Sequence, residues 1–155
     1  MRELISWEIC ERDFIKKVEV DKERIDSIKK MALKRFGKLK RTEFREDEVS
    51  FLVEDYYEVI KELLVAYLLK NGMRSKNHQC LISYFYKMHP ELENEVDLIS
   101  QMSFFRNRLG YYGESVPKEF YETKKREFDG VVDILSNLVN DIETKEGRKR
   151  VDGKS

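Results

Sequence analysis

Residues 52–72, LVEDYYEVIKELLVAYLLKNG, decide the fold. Leu52, Tyr56, Ile60, Leu63 and Tyr67 recur at spacings of 4, 4, 3 and 4, which at about 100° per residue gathers them on one side of a helix. Val53, Tyr57, Leu64 and Leu68 make a second stripe on the same helix. A helix with two apolar stripes needs cover from two sides. This segment, expected to be helical from about Glu46 to Lys70, is therefore the central member of a bundle.

Working outward, Asn71-Gly72 supplies a C-terminal stop. Upstream, Asp21 can cap a helix whose Ile25, Ile28, Ala32, Phe36 and Leu39 fall on one face. Downstream, Ser75 is the expected N-cap of a third helix, KNHQCLISYFYKM, which ends before Pro90. A fourth helix runs from about Leu92, with Leu98, Met102, Phe105, Leu109 and Tyr112 as its core stripe. Pro117 starts a fifth, with Phe128, Val131, Leu135, Leu138 and Ile142 as its buried face. No strand signal of quality follows residue 20, and no repeat is visible at periods of about 20 to 50 residues. The expected fold is all-α, an antiparallel bundle of four to five helices. It divides into an irregular N-terminal segment (1–20), a helical domain (21–143) and a flexible basic tail (144–155).

Thirty basic and thirty acidic residues cancel, so no global field advertises a polyanionic partner, and any nucleic-acid contact must come from a local patch. Cys10 and Cys80 are too few and too scattered for a disulfide framework. The N-terminal MRELISWEICERDF carries acids where a signal peptide needs an apolar run. The most apolar stretch, VIKELLVAYLL, contains Lys61 and Glu62 and falls short of the ~20 residues that span a bilayer. A soluble, reducing, cytoplasmic setting without a membrane partner is expected. Nothing in the chain asks for a cofactor or a metal: there is no glycine-rich phosphate loop, and His78 and Cys80 point about 200° apart on a helix.

The candidate site lies at the end of the fourth helix, in SFFRNRLGYYGES (103–115). With Leu98 at zero on the helical wheel, Arg106 falls near 80°, flanking the core, and Asn107 near 180°. Tyr111 lies about 140° from Arg106, so a site joining them needs a bend at Gly110 or Gly113, or a second subunit. The plain structural reading is that Arg106 and Arg108 meet the negative end of the helix dipole while Tyr111 and Tyr112 edge the core.

The ordered set of a long apolar helix ending in Asn71-Gly72, a histidine early in the next helix, and an Arg-Asn pair near the end of the fourth resembles the HEPN family (higher eukaryotes and prokaryotes nucleotide-binding) over roughly residues 21–142. HEPN domains are helical bundles that usually dimerise. Many are metal-independent endoribonucleases or the toxin partners of minimal nucleotidyltransferases. Their signature is an arginine, a polar residue, then a histidine after four to six intervening positions. The resemblance puts Arg106 in the arginine place and Asn107 in the polar one, and the histidine would fall at Tyr111, Tyr112 or Gly113, none of which is histidine. Tyr111 is taken as the candidate for that place, with Arg108 and Tyr112 as binding residues and His78 in reserve as acid/base. It implies a homodimer that binds RNA or a nucleotide phosphate, with a minimal nucleotidyltransferase as partner. An active ribonuclease and a non-catalytic interaction module are the alternatives. Tyrosine, with a pKa of about 10, is a poor base at neutral pH beside an imidazole near 6.5.

Overall fold

A computed structural model of the chain describes the backbone of residues 3–152 and the side chains of residues 3–140. Among the described residues the chain is all-α: helices α1 (Trp7–Asp13), α2 (Lys22–Arg41), α3 (Val49–Lys70), α4 (His78–Met88), α5 (Glu93–Tyr112) and α6 (Lys118–Asp152). Two short strands, β1 (Ile15–Lys17) and β2 (Met73–Ser75), pair antiparallel with Ile15 opposite Ser75 and Lys17 opposite Met73.

Helix α3 is the centre, and α2, α4, α5 and α6 all pack on it. Both of its stripes are buried, from Leu52 and Val53 to Tyr67 and Leu68. Asp21 caps α2 as expected, its carboxylate accepting from the Arg24 N–H at 3.1 Å. Ile25 and Ala32 are buried, and Ile28, Phe36 and Leu39 pack against the core. Gly72, at φ 74°, takes the left-handed turn that ends α3, where glycine carries no Cβ penalty. No helix among the described residues is long and apolar enough to cross a membrane.

Several expectations are corrected. The N-terminal segment is not irregular: Ser6 caps α1 by accepting from the Ile9 N–H, and β1 follows, in front of the expected helical bundle, which α2 to α6 form. β2 lies in the region read as free of strands. Its three residues are too few for an alternating pattern and are held by pairing with a distant segment. Ser75 does not cap α4. It lies in β2, and Asn77 takes the role with its side-chain oxygen 2.8 Å from the Gln79 N–H. Cys10 and Cys80, both fully buried, form a disulfide between α1 and α4 across 70 residues of sequence. Tyr112, expected in the core stripe, is 70% exposed, with the Arg108 guanidinium over its ring. Helix α6 continues to Asp152, so its backbone is helical where the tail was expected to fray. The side chain of Ile142, the tail side chains and residues 153–155 lie outside the described residues.

Candidate functional site

One face of α5 carries Ser103, Arg106, Asn107 and Tyr111, at spacings of 3, 1 and 4. Set against Ser103, the others lie at about −60°, +40° and +80°. These residues line a single cavity of about 310 Å³, together with Tyr57 of α3 and Lys76, Asn77, His78 and Gln79 from the β2–α4 junction. Arg106 and Tyr111 are indeed far apart on the wheel, but both line one concavity, with Ser103 and Asn107 between them on the helix face. The expected need for a bend or a second copy is therefore corrected: one chain gathers Arg106, Asn107, Tyr111 and His78.

The opposite wall is built by local hydrogen bonds. The Lys76 N–H donates to the Phe14 carbonyl at 2.9 Å, anchoring the junction to the segment between α1 and β1. The Ser75 hydroxyl donates to the Asn77 carbonyl (2.6 Å) and accepts from the Asn77 N–H (3.1 Å). Asn77 caps α4, and the Cys10–Cys80 bond fixes its first turn. Gln79 crosses to α5, donating from Nε2 to Ser103 Oγ at 2.9 Å. The positive end of the α4 dipole thus lies along the cavity wall.

The electrostatics are one-sided. Lys76 and Arg106 line the cavity, and no carboxylate does. Among the described residues the Arg106 side chain has no ion-pair or hydrogen-bond partner. The nearby Glu58 is neutralised by Lys61 at 2.7 Å. His78 is held below its ordinary pKa, first by burial and then by Lys61 and Arg106, against a smaller opposing pull from Glu58; its imidazole is therefore neutral at pH 7. Burial pushes the Tyr57 hydroxyl up, opposed by its hydrogen bond with Ser103 and by Arg106. By contrast, the cleft between α2 and α3 sets Arg35 and Lys38 beside Asp55 and Glu58 and neutralises itself.

Two sequence-named residues lie elsewhere. Arg108 pairs with Glu114 and lies over the rings of Phe104 and Tyr112, 5.5 and 5.0 Å from their centroids. Tyr112 supports that cation and does not line the cavity. His89 packs on Phe85 and meets the Tyr67 hydroxyl at 3.1 Å, also away from the site. Sequence reasoning missed Tyr57, Lys76, Asn77, Gln79 and Ser103. The polar run Lys76-Asn77-His78-Gln79 at a helix start was a usable signal, as was Ser103 one turn before Arg106. No group of three or more His, Cys, Asp or Glu that could hold a metal ion occurs among the described residues. Comparison with family models, curated proteins and solved structures returns no match.

Proposed function

We propose that this chain is a HEPN-like helical domain that binds RNA or a nucleotide phosphate in the cavity between α3, α4 and α5, as a homodimer and with a minimal nucleotidyltransferase as partner. The observation that carries the ligand is the lining itself: in a chain of balanced charge, Lys76 and Arg106 share a cavity with no carboxylate in its lining. Unpaired, the Arg106 guanidinium keeps its planar donor fork free for phosphate oxygens. The homodimer and the nucleotidyltransferase are carried by the sequence resemblance. Hydrogen bonds to charged groups contribute about 1.5–3 kcal/mol, so Arg106→Ala should weaken binding of an RNA oligonucleotide roughly 10- to 150-fold. Its thermal unfolding should be unchanged, because Arg106 makes no ion pair among the described residues. Equal affinity of the variant and the wild type would overturn the proposal.

The presence of His78 in the same cavity favours a second reading, metal-independent RNA cleavage. Neutral His78 would take the proton from a ribose 2′-hydroxyl. The 2′-oxygen would then attack the adjacent phosphorus, with the P–O5′ bond breaking and the leaving oxygen protonated by Tyr111 or water. The products are a 2′,3′-cyclic phosphate and a 5′-hydroxyl, and Arg106 would stabilise the charge that builds on the phosphate. The imidazole that the motif lacks at Tyr111 would thus come from another helix. Incubation with RNA in EDTA should give cyclic ends that disappear in His78→Gln. Intact RNA sinks the cleavage reading and leaves the binding reading standing.

A further inference from the structure

The ring of Tyr111 stands on the rim of the cavity and is 78% exposed. Its aromatic neighbours on α5 are engaged. Phe105 packs between Phe104 and Phe120 at 5.6 and 4.7 Å, and the Arg108 guanidinium covers Tyr112. Among the described residues Tyr111 has no ring, cation or hydrogen-bond partner. An aromatic face left open beside an unpaired guanidinium is a platform without its occupant.

Part of the surface between the two, beside Asn107, carries no side chain. Gly110 lies at about −20° on the wheel, between Arg106 and Tyr111, and a Cβ placed there would meet nothing within 4 Å. Its φ is not positive, so the backbone does not require glycine, which is a poor helix former. What its missing side chain leaves is a shelf. Tyr111 follows Arg106 by five positions, about 7.5 Å along the helix axis, the scale of a single nucleotide.

We infer that Tyr111 stacks an unpaired base while Arg106 holds the phosphate of the same strand, so that the cavity takes single-stranded RNA and rejects duplex. The inference rests on the phosphate-binding reading above. In a duplex the base faces are already stacked, and a phenol ring can reach only a base splayed out of a single strand. Stacking of this kind tolerates any base, since each has a π-face.

The test uses three fluorescently labelled probes: a single-stranded oligoribonucleotide, the same sequence as a duplex, and an abasic ribose-phosphate oligomer of equal length. Wild-type protein should bind the single strand most tightly. Tyr111→Ala should weaken that binding by roughly 5- to 150-fold while leaving the abasic oligomer unaffected. Tyr111→Phe should retain the wild-type preference, because stacking does not use the hydroxyl. Gly110→Leu, which fills the shelf, should weaken the single strand alone. The inference is overturned if duplex binds as well as single strand, if Tyr111→Ala weakens the abasic and single-stranded probes equally, or if Tyr111→Phe is as damaging as Tyr111→Ala. It is also overturned if Tyr111→Ala changes the oligomeric state on sedimentation and the loss of binding follows dissociation, which would make Tyr111 a contact between copies. Failure of the phosphate reading shows separately: abasic binding unchanged in Arg106→Ala, or absent from wild type, removes that reading and this inference with it.

Discussion

Reduction of the Cys10–Cys80 bond should lower the melting temperature by roughly 13 °C. The bond closes a loop of 70 residues, and the chain-entropy relation for a loop of that length gives about 15 cal/mol/K, or about 4 kcal/mol at 25 °C. Unfolding entropy of about 2.1 cal/mol/K per residue makes about 0.33 kcal/mol/K for a chain of this size, and the ratio sets the shift. Both sulfurs are fully buried in the fold, so the reduced thiols keep apolar surroundings and the change isolates the covalent link. Circular dichroism melts of oxidised protein with and without a phosphine reductant read the effect. Cys10→Ala and Cys80→Ala should melt low under both conditions and ignore the reductant. A wild-type melt that does not move, although thiol labelling after unfolding finds both cysteines free, would refute the reasoning.

The His78 imidazole, held low by burial, Lys61 and Arg106 and raised only by Glu58, gives stability a pH dependence of definite sign. Its folded pKa lies below the unfolded value of about 6.5, so the unfolded chain binds the extra proton. That stabilisation is complete above about pH 6.5 and is lost as pH falls through the lowered folded value. Proton NMR of the two histidines should show His78 titrating below 6.5 and moving upward in Arg106→Ala; a downward move would contradict the geometry. Two glycines three residues apart should respond with opposite signs. Gly113 ends α5 at φ 64°, where a side chain costs about 1–2 kcal/mol, so Gly113→Ala should lower the melting temperature by a few degrees. Gly110→Ala, in open helical surface, should raise it by about 2–4 °C. Differential scanning calorimetry decides both.

The parts of the fold legible in the sequence are those encoded locally. The two stripes of α3, the Asp21 cap and the Asn71-Gly72 stop each lie within one turn or one helix of the residues that define them, and each stands as read. Legibility fails where the cause is distant. Ile15 finds Ser75 and Cys10 finds Cys80 only after the chain has folded back. Tyr112 fits the period of the α5 stripe as well as Met102 does, yet Met102 is buried and Tyr112 exposed, because periodicity cannot report which turns of a helix the rest of the fold covers. At the site, Arg106 and Asn107 were singled out by the sequence resemblance, while the wheel set them about 100° apart. The partners that complete the cavity were not, because a wheel describes one helix and the cavity is made by three.

The elements hidden from sequence reasoning are also the ones that build the site. Remove β1 and β2, and nothing fixes the register that lets the Phe14 carbonyl hold the Lys76 N–H. Open the disulfide, and the first turn of α4 loses its covalent tie to α1. In either case His78 and Lys76 lose the support that faces them toward Arg106, while α3 and its apolar stripes stay intact. A loosened site would therefore show first in affinity and in the His78 titration, before any change in helix content. The balanced charge of the whole chain does not oppose anion binding here. The field at the cavity is set by its own lining: Lys61 has already neutralised the nearby carboxylate of Glu58, and within a recess of this size the unpaired Arg106 is screened less than an exposed surface charge would be.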